Sequence, residues 1–181
     1  MKKYGLYLMM VVAALFCTTS CGDEKNDDHL ERWMIANQNA FNAIKTNTDY
    51  KELKSTGNQG SIYYKVIKDG DGTEPILYTS TVECYYKGWL VADYPELNIE
   101  KDYVFDKKLF NDGYPLSFVV GTGVINGWET ALQHMVKGDK WEVWIPYQLA
   151  YGRTGSGASI PGYSTLVFEI EVVSVKGIDG K

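Results

Sequence analysis

Histidine is scarce in this chain: only His29 and His134 occur among its 181 residues. His134 falls outside the apolar face of the helix predicted around it, and neither histidine has a credible catalytic or metal-binding partner in the sequence. The sequence therefore argues against a histidine-dependent triad and against a zinc site. It predicts neither a metal nor a cofactor.

Excess basic charge and phosphate-binding loops are also lacking. The formal net charge is −5 at pH 7, so nucleic acid is not an expected partner. Glycine is frequent in residues 121–123 and 152–157, but neither stretch has a phosphate-loop lysine or the dinucleotide-binding spacing. Both stretches are predicted to be turns.

Cysteine is limited to Cys17, Cys21 and Cys84, and only Cys84 lies in the part expected to fold. An intramolecular disulfide is therefore not expected. Cys84 shares one face of a predicted strand with Val82 and Tyr86. We interpret it as a small buried apolar residue and not as a nucleophile.

The first twenty residues have the pattern of a signal peptide, with two lysines, an apolar run over 6–16 and small polar residues at 18–20. The run is about half the roughly 20 residues that a membrane-spanning helix needs. Cys21 resembles the acylated cysteine of bacterial lipoproteins. We expect lipid on Cys21 to tether an exported protein to a membrane, with ordinary cleavage and a free thiol as the alternative. Gly22 favours the outer membrane, facing the periplasm or the cell surface.

The remaining chain divides into an acidic tether (21–28), an N-terminal helical extension with a linker (29–60) and a folded domain (61–181). Leu30, Trp33, Met34, Phe41 and Ile44 recur at helical spacing, which predicts an amphipathic helix. Its apolar face is expected to pack on the domain or on a second copy of the chain. The glycines around residue 58 mark the expected boundary.

Beyond that boundary the apolar period changes to two, which predicts strands near residues 61–68, 79–89, 140–145 and 166–175. Between them, residues 127–135 carry apolar side chains at helical spacing, and Gly138 follows as a stop. The pattern predicts an α+β domain in which a twisted antiparallel sheet wraps one short helix. The space between sheet and helix is the expected pocket.

Apolar and aromatic residues gather at the ends of these predicted elements, within short motifs that occur in a fixed order. The motifs are Cys84-Tyr85-Tyr86-Lys87-Gly88, Phe105-Asp106, Val124-Ile125-Asn126-Gly127-Trp128, Ala131-Leu132, Ile145-Pro146, Leu149-Ala150-Tyr151-Gly152, Ile160-Pro161 and Leu166-Val167-Phe168. In this order they resemble the FKBP-type peptidyl-prolyl isomerases over roughly residues 61–176. The resemblance implies a half-barrel of antiparallel strands around one helix, X-Pro polypeptides as substrates and macrolides as inhibitors.

The resemblance also implies roles for individual residues. Trp128 is expected to form the floor of a proline pocket, and Tyr151 to donate its hydroxyl to a substrate carbonyl. Asp106 is expected near the twisting imide, held by Tyr86. Further substrate-binding residues are implied at Phe105, Leu116, Val124, Ile125, Ile160 and Phe168, with the backbone N–H of Ile125 as a second donor. Leu116 stands where many family members have an aromatic residue.

Two other functions stay open at this level. A client-binding chaperone would keep the pocket and grip clients with the N-terminal helix and with residues 89–104, which are longer than the usual family connection. An envelope-assembly lipoprotein would use the fold only as a scaffold. The sequence does not predict an oligomeric state.

Overall fold

The computed structural model describes residues 24–57 and 59–177, and within them one antiparallel sheet of seven strands is accompanied by three α-helices and three short 3₁₀ helices. The α-helices are α1 (Glu24–Lys45), α2 (Val120–Gly123) and α3 (Asn126–Leu132). The strands are β1 (Lys51–Lys54), β2 (Ser61–Lys68), β3 (Thr81–Leu90), β4 (Val104–Lys108), β5 (Leu116–Val119), β6 (Lys140–Ile145) and β7 (Leu166–Lys176). The predicted α+β class, with a helical extension before the sheet, is confirmed.

The strand order is β1-β2-β6-β7-β3-β4, and β5 also pairs with β3. Strand β7 follows β3 along its length, from Thr81 opposite Lys176 to Leu90 opposite Leu166. On the other edge of β3, β5 pairs with the first half and β4 with the second half. This edge therefore brings residues of β4 and β5 next to the same central strand.

One face of the sheet is apolar because buried residues alternate with partly exposed ones along β3 and β6. Helix α3 packs on this face. A Cβ atom on Gly127 would lie 2.3 Å from the Cγ2 atom of Ile145, so only glycine permits this approach of helix to strand. The alternation predicted for residues 140–145 and 166–175 corresponds to β6 and β7, and the helix predicted over 127–135 corresponds to α3.

Helix α1 is docked on the domain by a buried stripe of Trp33, Asn37 and Phe41. Trp33 Nε1 donates to the carbonyl of Gly162 at 2.9 Å, and Asn37 Oδ1 accepts the backbone N–H of Thr165 at 2.7 Å. The sequence left open whether the apolar face of α1 packs on the domain or on a second copy of the chain. In the structure it packs on the domain.

The expected boundary between the extension and the domain falls between two strands that pair with each other. Strand β1, which the sequence analysis assigned to the linker, pairs with β2 from Lys51 opposite Tyr64 to Lys54 opposite Ser61. Its sequence, Lys-Glu-Leu-Lys, has only one apolar residue and gave no period-two signal. Helix α1 also begins at Glu24, inside the stretch expected to be a tether.

The long stretch between Trp89 and Val104 is a closed excursion beside β3. Its base is held by hydrogen bonds from Leu90 N–H to Tyr103 O and from Asp102 N–H to Leu90 O. Within it Tyr94 and Ile99 form an isolated bridge, and both are buried. The Tyr94 ring lies 5.1 Å from the Trp33 ring, so the excursion packs against α1.

The stretch predicted to be a signal peptide and the predicted lipid site at Cys21 lie outside the described residues. Within the part of the chain that the structure describes, none of the helices is both long and apolar enough to cross a lipid bilayer.

Candidate functional site

A cavity of about 90 Å³ opens between α3 and the edge of the sheet where β4 and β5 meet β3. Most of its lining residues are aromatic or aliphatic, and they come from six strands or helices, from the link between α2 and α3, and from the segment after β6. They are Tyr86, Phe105, Asp106, Phe118, Gly123, Val124, Ile125, Trp128, Tyr151 and Phe168. The structure thus brings together residues separated by more than 80 positions in the chain.

Trp128 forms the centre of an aromatic box. Its ring centroid lies 5.3 Å from those of Tyr86 and Phe168 and 5.4 Å from that of Phe118, with steep interplanar angles of 84°, 89° and 66°. Such edge-to-face contacts are favourable, and they fix the ring orientations mutually. The box therefore offers a rigid apolar surface to a small ring.

Gly88 leaves room beside β3 for two aromatic rings of the cavity, Phe168 of the box and Phe105. A Cβ atom at this position would lie 2.5 Å from Phe168 Cε1 and 2.7 Å from Phe105 Cζ. The rings of Phe105 and Phe168 themselves meet edge to face at 5.4 Å and 83°. The absence of a side chain at Gly88 therefore leaves room for these two rings of the pocket wall.

Asp106 provides the carboxylate at the rim of the cavity. The hydroxyl of Tyr86 donates to Asp106 Oδ2 at 2.8 Å. Burial, and then this acceptor, raise the pKa of the Tyr86 hydroxyl well above its usual value. Tyr86 therefore stays protonated, and its donor orients the carboxylate.

Tyr151 is the other polar side chain on the cavity wall, and its side chain is 39% exposed. Among the described residues, none forms a hydrogen bond with its hydroxyl. Burial, followed by the charge of Asp106, raises the pKa of the Tyr151 phenol. The hydroxyl is therefore a neutral donor at physiological pH that is available to a ligand.

Ile125 lines the cavity immediately before α3. Its carbonyl accepts hydrogen bonds from the N–H groups of Trp128 and Glu129, at 2.9 and 3.1 Å. Its own N–H has no backbone acceptor among the described residues. It is therefore an unused backbone donor on a residue that lines the cavity.

Two residues expected in the site lie elsewhere. Leu116, at the outer end of β5, is 42% exposed and does not line the cavity, whereas Phe118 on the same face of β5 does. Ile160 is 7% exposed and packs in the main core instead of lining the cavity. The sequence did not predict Phe118, because the resemblance named Leu116 at this part of the chain. Residues two apart in a strand share one face, so Leu116 and Phe118 lie on the same face of β5, and Phe118 is the aromatic residue of that face.

Comparison with known proteins identifies the family of this fold and pocket. A family model described as FKBP-type peptidyl-prolyl cis-trans isomerase matches residues 72–173. The chain is 39% identical over 132 residues to the FKBP-type 22 kDa peptidyl-prolyl cis-trans isomerase of Escherichia coli, covering 73% of this chain and 57% of that protein. It is 37% identical over 115 residues to FK506-binding protein 1A of Neurospora crassa, covering 63% of this chain and 88% of that protein.

Solved structures agree with this similarity. A peptidyl-prolyl cis-trans isomerase of Pseudomonas syringae pv. tomato superposes with a TM-score of 0.63 at 32% identity, covering 80% of this chain and 94% of that chain. FkpA of Escherichia coli gives a TM-score of 0.67 at 31% identity, covering 86% of this chain and 65% of that chain. The chain belongs to the FKBP-type peptidyl-prolyl cis-trans isomerase family. It spans just over half the length of the 22 kDa relative, 57%.

Proposed function

We propose that this protein is a peptidyl-prolyl cis-trans isomerase that assists the folding of exported polypeptides. The observation that supports this most directly is the aromatic box around Trp128, with the Asp106 carboxylate and the Tyr151 hydroxyl on the wall of the same cavity. Its dimensions and chemistry suit the ring of proline with the flanking peptide groups at the rim.

Isomerisation requires rotation about an amide bond, which resonance opposes with a barrier of roughly 18–20 kcal/mol. In the twisted state the nitrogen loses resonance and the carbonyl is less dipolar. An apolar cavity that excludes water favours this state over the planar amide, which water solvates better. No bond to substrate is made or cleaved, so the reaction requires no nucleophile and no metal.

The polar groups hold the twisted backbone. The Tyr151 hydroxyl and the Ile125 N–H donate to substrate carbonyls on either side of the proline. Asp106, oriented by Tyr86 at 2.8 Å, faces the imide as its charge distribution changes. These contacts stabilise the transition state when their geometry fits the bent chain better than the planar one.

The test is an exchange assay with an X-Pro peptide and Tyr151→Phe as the pocket variant. The wild type is expected to accelerate cis-trans interconversion, and loss of one donor is expected to lower kcat/KM by about tenfold. Absence of acceleration by folded wild-type protein contradicts the proposal. An unchanged Tyr151→Phe rate removes the hydroxyl from the mechanism.

The same pocket is proposed to accept macrolide inhibitors. One relative is named an FK506-binding protein, and eight of the residues that line the cavity belong to the motifs quoted above. Competition of the macrolide FK506 with an X-Pro peptide tests this. Unaltered isomerisation at saturating macrolide contradicts it.

Membrane attachment through lipid on Cys21, with the domain on the outer membrane, is also proposed. The support is the sequence pattern of residues 1–21. In fractionated cells the wild type is expected in the membrane and Cys21→Ala in the soluble exported fraction. Equal partition of the two proteins contradicts lipid attachment at this residue.

A chaperone that grips clients with the apolar face of α1 receives less support. Trp33 and Phe41, the aromatic residues of that face, are buried against the domain. A scaffold function leaves unexplained the free hydroxyl of Tyr151 at the cavity wall.

A further inference from the structure

A second cavity lies between α1 and the sheet and encloses about 320 Å³. This volume falls within the roughly 300–1,000 Å³ typical of ligand clefts. Its walls come from α1, the hairpin of β1 and β2, and the segments that follow β6 and precede β7. We call it the helix groove; it is lined by Met34, Gln38, Phe41, Asn42, Lys45, Glu52, Gln59, Gly60, Ser61, Tyr63, Pro146, Tyr147, Gln148, Tyr163 and Thr165.

The side chains of the helix groove match the chemistry of a polypeptide. Four carry amides, each with a donor and an acceptor as in a peptide group, and four are aromatic, suited to apolar side chains. The amide residues are Gln38, Asn42, Gln59 and Gln148, and the aromatic residues are Phe41, Tyr63, Tyr147 and Tyr163. Lys45 and Glu52 are its only charged residues, one of each sign, so the groove does not select a charged ligand.

The helix groove is linked at two places to the cavity around Trp128, which we call the proline pocket. Asn126 Nδ2 donates to Gln59 Oε1 at 3.0 Å, and Asn126 directly follows Ile125 of the proline pocket. Tyr147 lines the groove and Tyr151 lines the pocket, and the Gly152 N–H closes the turn between them on the Tyr147 carbonyl at 2.8 Å. The walls of the two cavities are thus linked by one turn of the chain and by one side-chain hydrogen bond.

We propose that the helix groove binds the segment of the substrate polypeptide that flanks the proline held in the proline pocket. The proposal rests on the isomerase function proposed above. The proline pocket is small, about 90 Å³, and holds little beyond one residue. The groove then supplies affinity for long unfolded chains that carry apolar side chains, and its amides recognise backbone groups irrespective of sequence.

Two tryptophan substitutions on α1 distinguish the effect of filling the groove from a general effect of changing the helix. Asn42 is exposed and lines the groove, so Asn42→Trp fills it. Asn39 is equally exposed on α1 and lies outside the groove lining, so Asn39→Trp is the matched control. The substrates are an X-Pro tetrapeptide and a peptide of about 15 residues with the same centre, about 50 Å long when extended.

The wild type and Asn39→Trp are expected to show a KM about fivefold to tenfold lower for the long peptide than for the tetrapeptide. This is the gain in affinity expected from one or two additional hydrogen bonds in the groove. Asn42→Trp is expected to abolish this difference while its tetrapeptide kinetics, which also report correct folding, stay unchanged. Equal KM values of wild type for both peptides overturn the proposal. So does identical behaviour of the two variants.

Direct binding distinguishes this proposal from the isomerase function. If the wild type accelerates neither peptide, the isomerase function fails, and the groove is judged by fluorescence anisotropy of the labelled long peptide. Binding that Asn42→Trp weakens and Asn39→Trp does not supports the groove; equal binding by all three overturns it. Concentration-dependent dimerisation that only Asn42→Trp abolishes assigns the groove to a second copy and also overturns it.

Discussion

Tyr86 joins the apolar and polar parts of the pocket. Its ring packs against Trp128 at 5.3 Å, while its hydroxyl orients Asp106. Burial together with the Asp106 acceptor keeps the hydroxyl protonated, because both raise its pKa. A single side chain thus contributes to the surface that we propose receives proline and to the orientation of the carboxylate beside it.

Replacing Tyr86 by phenylalanine separates these two contributions. Tyr86→Phe keeps the ring and removes the donor, so we expect kcat for an X-Pro peptide to fall by about tenfold while KM changes little. The measurement is steady-state kinetics in the exchange assay.

Tyr85 provides the matched control for this variant. Its hydroxyl donates to the carbonyl of Gly113 at 3.0 Å, and it does not line the cavity. Tyr85→Phe is expected to leave kcat unchanged. Equal losses in both variants would contradict a role for the Tyr86–Asp106 hydrogen bond.

At the scale of elements, α1 belongs to the folded domain because Asn37 connects it to β7. Asn37 Nδ2 donates to the Trp33 carbonyl at 2.9 Å, and its Oδ1 accepts the Thr165 N–H one residue before β7 begins. Both side-chain polar atoms are used within a buried interface. Phe168, three residues further along the chain, forms part of the pocket wall.

Asn37→Ala is therefore expected to lower the free energy of unfolding by about 1–3 kcal/mol, because it leaves the buried Thr165 N–H without an acceptor. Asn39→Ala, an exposed substitution on the same helix, is expected to change it by less than about 0.5 kcal/mol. Urea unfolding of both variants measures the difference. Equal stabilities would show that α1 is not anchored through Asn37.

The elements that the sequence predicted well are those with strong alternation. Trp141, Val143 and Ile145 alternate with half-buried residues, and their strand has the predicted bounds. Strand β1 was missed because an edge strand of mostly charged residues carries little alternation. Asn37 was missed because a hydrophobic pattern cannot reveal a polar residue whose partner lies 128 positions away.

The site was predictable to the extent that its residues occur in the family motifs. Trp128, Tyr151, Tyr86 and Asp106, which the resemblance named, line one cavity, and Tyr86 is hydrogen-bonded to Asp106. Leu116 and Phe118 share a face of β5, so only the three-dimensional position of the strand end decides which of them reaches Trp128. The helix groove depends on the docking of α1, for which the sequence left two partners open.

For the molecule as a whole, burial of Cys84 couples stability to alkaline pH. Burial and, secondarily, Glu83 raise the pKa of the thiol from 9.0 to about 12. Above pH 9 the unfolded chain loses a proton that the folded protein retains. The stabilisation that Cys84 contributes is therefore complete below the pKa of its thiol in the unfolded chain. It is lost as the pH rises towards the pKa of the thiol in the folded protein.

We expect the free energy of unfolding to fall between pH 9 and pH 12, with a slope from this group approaching about 1.4 kcal/mol per pH unit. Denaturant unfolding at a series of pH values measures it, and Cys84→Ala is the control. The variant is expected to be less stable at neutral pH and to show a shallower alkaline slope. Equal slopes would assign the alkaline loss to other groups, such as Tyr50, whose pKa burial and Glu142 raise to about 12.

The central claim is that the aromatic box is the place where the X-Pro bond twists. Trp128 Nε1 is buried without a hydrogen-bond partner among the described residues, and so is Trp141 Nε1, which lies outside the cavity lining. NMR of the protein with an X-Pro peptide records both indole signals and the peptide's cis-trans exchange in one sample. We expect a saturable shift at Trp128, none at Trp141, and accelerated exchange. Acceleration without a shift at Trp128, or a shift without acceleration, would contradict the claim.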